Sequence, residues 1–513
     1  MKTRCGGIPL DGSILKNYCL GTTIFIAAAL LLAATSCGKG DTRSSEAVVI
    51  RVGTHNRPAH DPTWRDALTG DPGMTPDGIR VGEIAMQKVR DELGVKLEWV
   101  QYSADIRETL LRSVLAGDPF CEIAFLWGGS PGAIMGQNIL QDLSLYADVF
   151  EGDPDAEWML LPPVFGRRYF MGYKLAQVDC WPLVFNINYI EQVDALKENG
   201  RTVYPTDLYK QGKWTWSVFE DYLEKIHIYY HKLPSPVRPE IPIKAFQTDW
   251  RFTATALLHS AGGAVYGENG LGVDTRECIR AIEFLDRLMT RNLAMSVNYE
   301  NSIIPGWTWG GNDLGNGETV FTDMPFWVDT SAGSNLASRG ESMGIIPYPR
   351  PDDMAFNDPR YQHVMAAGGD CYAILKGVSP DKSRLALEAM KLYFLTTYRV
   401  ISSSERALDF LAATAGEMAV ADGFDIFHEE IGEDILNIYA QYSPRIINEF
   451  SGLAGVGGLW EETVGNSLYG VDGSPKYAVA IARNKALLEN TIAEFEASIT
   501  SGAIPIILNE HGE

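Results

Sequence analysis

A few polar side chains in this sequence stand at spacings that could hold a metal ion or a phosphate group. His227 and His231 lie four residues apart in a predicted helix, with Glu224 three residues before the first, so the three side chains could share one face. The zinc motif H-E-x-x-H is not matched, and we interpret the pattern as a solvated helix face. The glycine-rich segment 452–458 lacks the Lys-Ser/Thr pair of a P-loop. We therefore expect no metal site and no cofactor.

Aromatic and acidic side chains offer a different chemistry, which is the binding of a ligand through flat rings and hydrogen-bond acceptors. Several of the 12 tryptophans follow predicted strands or lie in predicted loops: Trp64, Trp127, Trp181, Trp250, Trp307, Trp309, Trp327 and Trp460. Any one of these rings could instead pack in a core. Asp323 and Asp370 could also act together, because two carboxylates at a suitable separation hydrolyse a glycosidic bond.

The first part of the chain alternates strand and helix patterns. Residues 48–53, 95–100 and 121–127 have the composition of strands, and the third is a continuous apolar run typical of a strand buried on both faces. Residues 82–93 and 106–116 have helical spacing, and each ends at a glycine. The order strand, helix, strand, helix, strand predicts a parallel sheet covered by helices.

The rest of the chain mixes short strands with longer helices. The patterns predict strands at 183–187, 319–321 and 344–346, helices at 190–198, 218–230, 254–260, 278–289 and 383–395, and loops at 233–242 and 306–317. Ser217 is the expected N-cap of the helix at 218–230. Together the elements predict an α/β protein.

The N-terminus is typical of an export signal. A basic start is followed by an apolar run at 24–34, which is shorter than the roughly 20 residues of a membrane span. The small residues before Cys37 resemble the signal of a bacterial lipoprotein, in which the cysteine thiol is acylated. We therefore predict a signal peptide at 1–36, lipidation of Cys37 and a polar flexible tether at 37–46. An ordinary secretory peptide with an incidental cysteine is the alternative.

Composition narrows the class of protein further. The net charge is −23, and aromatic residues make up 11% of the 513 residues. Nucleic acid is excluded as a partner because an acidic surface repels phosphates, and disorder is excluded because the chain is rich in aromatic residues. Cys121, Cys180, Cys278 and Cys371 are far apart and in apolar segments, so we expect buried free thiols, with one or two disulfides as the alternative.

Eight short segments, in order, resemble extracellular solute-binding protein family 1, the maltose-binding-like substrate-binding lipoproteins of bacterial carbohydrate ABC importers. They span most of the chain after the leader. The segments are Ile123 to Gly129, Trp181 to Asn186, Trp214 to Trp216, Ser260 to Gly263, Gly317 to Phe321, Pro325 to Trp327, Ile346 to Pro349 and Ala367 to Leu375 with the helix that follows.

The resemblance implies a two-lobed periplasmic-binding-protein-like fold of the α/β class, with a hinge and a ligand cleft between the lobes. The N-terminal lobe would comprise 47–178 plus 348–400. The C-terminal lobe would comprise 179–347 plus 401–513.

The resemblance also implies that the cleft binds a carbohydrate. The C–H face of a sugar stacks on aromatic rings, and its hydroxyls need paired donors and acceptors. Trp127 and Trp327 rank first because they follow strands at the carboxyl edge, where α/β sheets place ligands. The other candidates are Trp250, Phe326, Asp179, Asp370, Asp323, His55, Asn56 and Trp460.

The implied function is that of a substrate-binding lipoprotein, anchored at the outer face of the cell membrane through Cys37. As a monomer it would capture a carbohydrate, and most readily an oligosaccharide, by hinge closure. It would then deliver the ligand to importer permease subunits served by their ATPase, and it would not be an enzyme. The alternatives are a membrane-anchored glycoside hydrolase or lyase, and a glycan-sensing lipoprotein without import.

Overall fold

A computed structural model describes residues 47–74, 76–102, 105–126, 130–161, 163–172, 183–267, 270–296, 310–323, 335–336, 338–364, 371–402, 446–447, 456–469 and 476–500. Its strands are β1 (Val48–Thr54), β2 (Val95–Gln101), β3 (Ile123–Leu126), β4 (Leu183–Asn186), β5 (Lys197–Glu198), β6 (Arg201–Thr202), β7 (Lys244–Thr248), β8 (Tyr266–Gly267), β9 (Gly270–Leu271), β10 (Ala294–Ser296), β11 (Thr319–Asp323), β12 (Met343–Ile346), β13 (His363–Val364), β14 (Cys371–Ile374) and β15 (Ile446–Ile447).

The α-helices in these residues vary in length from one turn to about seven. They are α1 (Arg57–His60), α2 (Pro76–Leu93), α3 (Ile106–Leu115), α4 (Ser130–Gly136), α5 (Ile187–Gln192), α6 (Pro205–Lys210), α7 (Trp216–Tyr230), α8 (Trp250–Ser260), α9 (Arg276–Thr290), α10 (Gly310–Gly315), α11 (Pro380–Ser402), α12 (Val456–Tyr469) and α13 (Tyr477–Thr500). Short 3-10 helices also occur. None of the helices described is long and apolar enough to cross a bilayer.

The first sheet confirms the strand and helix order predicted for the start of the chain. Its strand order is β14-β3-β1-β2, in which β1 pairs in parallel with both β2 and β3, and β14 runs antiparallel to β3. Helices α2 and α11 pack against each other on one face of this sheet. Val81, Ala85 and Val89 form the buried stripe of α2. All four residues of β3 are buried, as its apolar run predicts.

The second sheet has the order β10-β7-β11-β4-β12. Strands β7, β10 and β11 are parallel, whereas β4 runs antiparallel to β11 and to β12. Phe185, Phe246 and Phe321 come from three of these strands and are fully buried. The rings of Phe246 and Phe321 lie edge-on to Phe219 of α7, with centroids 5.8 and 5.6 Å away. Aromatic packing of this kind joins the helix to the sheet.

The segment that follows β12 is held by the second sheet and its helices. The indole N–H groups of Trp214 and Trp216 donate to the carbonyl oxygens of Pro347 and Pro349, at 2.8 and 2.9 Å. Farther along, the Tyr361 hydroxyl donates to a backbone carbonyl within the same segment, at 2.6 Å. The two indole contacts attach the start of this segment to the start of α7. The lobe boundaries themselves stay a prediction.

Two expected elements differ in the structure. The helix expected at 190–198 is α5, which begins earlier because the Asn186 side chain accepts a hydrogen bond from the Tyr189 N–H at 3.1 Å. It ends earlier because β5 and β6 form a hairpin around Asn199 and Gly200, whose φ angles are 51° and 80°. The expected loop at 306–317 contains α10, on which Asp313 is buried and paired with Lys244 at 3.0 Å.

Ser217 does not cap α7. The helix begins at Trp216, with Thr215 as its N-cap. The hydroxyls of Thr215 and Ser217 both donate to the carboxylate of Asp352, at 2.6 and 2.5 Å. The start of this helix is therefore fastened to the segment after β12 by side chains instead of being capped by its own serine.

The described cysteines are buried free thiols, as expected. Cys121, Cys278 and Cys371 form no disulfide. Burial raises the pKa of the Cys121 thiol to about 12. Cys180 and Cys37 lie outside the described residues.

Candidate functional site

The carboxyl ends of the parallel strands form one edge of each sheet. In the first sheet, β1 ends at Thr54 and β3 ends at Leu126; in the second, β7 ends at Thr248 and β11 ends at Asp323. The pairing of Thr322 with Gln247 brings the last two ends side by side. Ligands of open α/β sheets bind outside such edges, so these residues and those that follow them define the candidate site.

Two histidines follow β1 at the edge of the first sheet. The ring of His55 stacks on Phe125 of β3, with centroids 5.6 Å apart and planes inclined by 15°. The ring of His60 lies 4.7 Å from the same phenyl ring. Burial lowers the pKa of His55, and burial together with the neighbouring His55 lowers the pKa of His60 to about 3. Both imidazoles are therefore uncharged at neutral pH, each with one donor and one acceptor.

Asn56 lies between the end of β1 and the one-turn helix α1. Its backbone N–H donates to the hydroxyl of Thr54 at 3.2 Å, and its side chain is partly exposed. The structure thus brings the predicted residues His55 and Asn56 to the same sheet edge. Their contact with a ligand stays a prediction.

Asp323 is buried at the edge of the second sheet. One carboxylate oxygen accepts hydrogen bonds from the hydroxyls of Thr253, Tyr348 and Thr248, at 2.6, 3.1 and 3.2 Å. The other accepts from the backbone N–H of Asp249 at 3.0 Å. Burial raises the pKa of this carboxyl to about 7, against the effect of the hydrogen bond from Thr253.

Two of the predicted tryptophans lie in helices. Trp250 is the first residue of α8 and is buried, with Gly465 of α12 so close to its ring that a Cβ there would lie 3.1 Å from it. Trp460 was expected in a loop, but it lies within α12 and is 1% exposed. Its N–H donates to the Tyr477 hydroxyl at 3.0 Å. Trp460 is therefore buried where α12 meets the first residue of α13, and its contact with a ligand stays a prediction.

The remaining candidates lie outside the described residues: Trp127, Trp327, Phe326, Asp179 and Asp370. Leu126, which precedes Trp127 in the chain, pairs with Cys371, which follows Asp370. In the second sheet, Asp323 pairs with Leu183, where β4 begins.

Ser130 is a residue that sequence reasoning missed. It is the centre of Gly128-Gly129-Ser130-Pro131-Gly132, a match to the G-x-S-x-G motif of serine hydrolases. It begins α4 shortly after β3, and His55 follows the neighbouring strand β1. A serine nucleophile also needs a histidine within hydrogen-bond reach and an acid behind it. A nucleophile of this kind would act on an ester or amide and not on a glycosidic bond, so the motif alone assigns Ser130 no role toward a sugar.

His227 lies in the last turn of α7, and His231 is the C-cap residue that follows the helix. The rings of His227 and His231 stack with centroids 5.7 Å apart, and the side chain of His231 is exposed. Burial and the neighbouring His231 lower the pKa of His227. Across the residues with a described structure, no group of three or more His, Cys, Asp or Glu side chains could hold a metal ion.

Known proteins match this chain in structure and not in sequence. No protein-family model matches the chain, and no curated protein matches its sequence. Among solved structures, the sugar-binding protein MalE of Xanthomonas citri is 10% identical with a TM-score of 0.56, and the match covers 87% of this chain and 98% of that one. This chain has the two-lobed fold of a periplasmic sugar-binding protein.

Two further structures have the same two-lobed fold. The galacto-N-biose/lacto-N-biose I-binding protein of an ABC transporter from Bifidobacterium longum, in complex with lacto-N-biose, is 16% identical with a TM-score of 0.53. That match covers 88% of this chain and 98% of the other. UgpB from Mycobacterium tuberculosis, in complex with glycerophosphocholine, is 14% identical with a TM-score of 0.52, covering 86% and 98%. The two-lobed α/β fold expected from the sequence is confirmed.

Proposed function

We propose that this protein is the substrate-binding lipoprotein of an ABC importer and that it captures a carbohydrate between its two lobes. The observation that carries the proposal is the fold, which the chain shares over most of its length with sugar-binding proteins of such importers. The sheet edges support it. His55 and His60 offer uncharged hydrogen-bond donors and acceptors, which suit the hydroxyl groups of a sugar better than they suit a charged ligand.

The proposed mechanism is hinge closure. A ligand that contacts both sheet edges stabilises the closed form, because only there does it contact both lobes at once. Trp127 and Trp327 would stack on sugar rings, with Trp250 and Phe326 beside them. The hydroxyls would meet His55 and the remaining polar candidates, which are Asn56, Asp179 and Asp370. The closed form would then dock on the permease subunits, whose ATPase drives release.

Membrane attachment is part of the same proposal. Residues 1–36 would be removed as a signal peptide, Cys37 would carry the lipid, and 37–46 would tether the two lobes to the outer face of the membrane as a monomer. Replacing Cys37 with serine should abolish the incorporation of labelled palmitate and release the protein from the membrane fraction. If this variant still incorporates palmitate and stays in the membrane fraction, Cys37 is not the lipidated residue.

The first experiment is a thermal-shift screen of residues 38–513 against neutral oligosaccharides, glycerophosphodiesters, peptides and metal ions. A ligand at 100 times its Kd adds about 2.7 kcal/mol of stability, which gives a visible shift. Glycerophosphodiesters belong in the panel because a protein of the same fold is known in complex with glycerophosphocholine. A shift with an intact glycan supports the proposal. A shift with peptides alone overturns the carbohydrate assignment.

Matched variants locate the binding site. Trp127→Ala should abolish the shift, whereas Tyr229→Ala should leave it unchanged, because Tyr229 is an exposed aromatic residue on α7 and lies at neither sheet edge.

Product analysis of every hit separates a binder from an enzyme. Recovery of glycan fragments after incubation with the wild type would establish the glycan-active enzyme instead. Uptake of labelled ligand that survives deletion of the protein would favour the sensor.

A further inference from the structure

The carboxylate of Asp323, at the end of β11, joins two other stretches of chain beside the second sheet, which are 248–253 and Tyr348. It lies at the end of β11 and accepts hydrogen bonds from Thr248 at the end of β7 and from Thr253 in the second turn of α8. It also accepts from the N–H of Asp249, just before α8, and from the Tyr348 hydroxyl, just after β12. One side chain thus sets the relative positions of two strand ends, a helix start and the segment that leaves the sheet.

The carboxylate of Asp323 is buried, and both of its oxygens accept hydrogen bonds. Asp323 is 3% exposed, and Thr248 and Thr253 are no more than 1% exposed. Four donors surround its two oxygens, so a ligand could reach the carboxylate only by displacing one of them. Direct contact with a ligand, which the sequence predicted for Asp323, is therefore a poorer explanation than an indirect role.

The charge of Asp323 has no cation beside it. In the residues that the structure describes, no lysine, arginine or histidine forms an ion pair with this carboxylate. The titratable groups that face it are the carboxyl of Asp249 and the phenol of Tyr348. A buried carboxylate without a cation is costly, so its contribution must lie in the donors that it orders.

We propose that Asp323 is a positioning residue, which holds the carboxyl-end edge of the second sheet in place without touching the ligand. The inference rests on the proposed function and deepens it. The helix that Asp323 holds begins with Trp250, a predicted ligand contact. The chain that continues from Asp323 carries Phe326 and Trp327. Tyr348 begins the segment that is bound to the indole groups of Trp214 and Trp216 through its neighbours.

The four donors require the ionised carboxylate. A protonated carboxyl places its own O–H against hydroxyls that already donate, so at least one of the four contacts must reorient. A closed cleft needs the ordered arrangement, and the ligand should therefore bind the ionised form more tightly. Affinity should rise with pH until Asp323 is fully ionised.

The first test needs no ligand. We would measure amide hydrogen exchange at pH 8 in peptides covering 249–260 and 347–350, for the wild type and for Asp323→Asn. The exchange of these peptides should accelerate about tenfold in the variant. Asp313→Asn is the matched control, because Asp313 is an equally buried carboxylate of the same lobe, paired with Lys244 at the other end of β7. It should leave both peptides unchanged.

A second variant guards against misfolding. Tyr348→Phe removes one donor and keeps the carboxylate and the ring, and it should accelerate exchange in 249–260 as well as in its own segment. If Asp323→Asn folds and exchanges at the wild-type rate in both peptides, the positioning role is wrong. If Tyr348→Phe affects only its own segment, the proposed coupling between the segments is wrong.

The second test measures affinity against pH with maltotriose and lacto-N-biose as probes. Wild-type Kd should be about tenfold higher at pH 5.5 than at pH 8, Asp313→Asn should keep that slope, and Asp323→Asn should lose it. A slope preserved in Asp323→Asn would overturn the role in binding. Failure of every glycan to bind would contradict the proposed function instead, and the exchange experiment would still decide the inference.

Discussion

The ammonium of Lys382 lies 2.8 Å from the carboxylate of Glu122, although 260 residues separate them in the chain. Glu122 precedes β3, and Lys382 lies in the first turn of α11. The same carboxylate accepts hydrogen bonds from the backbone N–H and the guanidinium of Arg51 in β1, at 2.7 and 2.9 Å. This one side chain therefore joins two strands of the first sheet to a helix from a distant part of the sequence.

Glu122→Gln should lower the free energy of unfolding by about 1–3 kcal/mol, because a buried acceptor of charged donors is lost. The pairing cations are about one third exposed, so water offsets part of the loss. Urea unfolding measures the effect. Glu92→Gln is the control, since Glu92 pairs with Lys88 on the surface of α2 and should change stability by less than about 0.5 kcal/mol.

The same pair predicts a pH dependence. Burial alone would raise the pKa of Glu122, but the hydrogen bonds from Arg51 and Lys382 outweigh it and lower the pKa below its usual 4.5. The native state then gains stability above pH 4.5 and loses it as the pH falls through the lowered pKa. Equal slopes of stability against pH below 4.5 in the wild type and Glu122→Gln would contradict this reading.

Asp323 should have the opposite pH dependence of stability. Its pKa is raised from 3.8 to about 7, chiefly by burial. Between pH 4 and 7 the native state therefore binds more protons than the unfolded state, and this group's contribution falls as pH rises. The unfolding free energy of the wild type, relative to Asp323→Asn, should be greater at pH 5 than at pH 8, on the order of 2–4 kcal/mol. If this difference in unfolding free energy does not change with pH, the pKa of Asp323 is the same in the native and unfolded states, and the prediction is wrong.

The indole N–H groups of Trp214 and Trp216 should contribute to stability beyond the packing of their rings. Trp214→Phe removes the donor to Pro347 and leaves a buried carbonyl oxygen unpaired, at a cost of about 1–3 kcal/mol, plus the smaller volume of the ring. Chemical unfolding of Trp214→Phe, Trp216→Phe and the double variant measures the stability contribution of each indole and the coupling between them. Coupling should exceed about 0.5 kcal/mol, because both donors hold the same segment. Strict additivity would mean that the two contacts act independently.

The described thiols should be inert in the native protein. Cys121, Cys278 and Cys371 are fully buried, and the raised pKa of Cys121 leaves almost no thiolate at neutral pH. In residues 38–513 with Cys180→Ser, a thiol reagent should label none of the three before unfolding and all three in urea. Rapid labelling under native conditions would show that one of these segments opens locally.

The sequence alone predicted the regular parts of the fold. Strands β1, β2 and β3 and helices α2 and α3 follow from apolar periodicity and from glycines at the helix ends, which are local signals. The hairpin of β5 and β6 had an equally local signal, the Asn199-Gly200 pair, which is typical of a tight turn. It was missed because the helical spacing of 190–198 competed with it.

Only the tertiary structure decided what the polar side chains do. Asp323 and Trp460 were assigned to a ligand from their types and neighbours, and the structure buries both, one among four donors and one against Tyr477. Ser217 and Asp352 meet although 135 residues separate them. Periodicity records which face of an element is apolar, but a hydrogen bond between distant segments leaves no trace in either segment alone. For that reason the sequence determined the lobes' elements, whereas the partners of its buried charges and hydroxyls became visible only once the chain was folded.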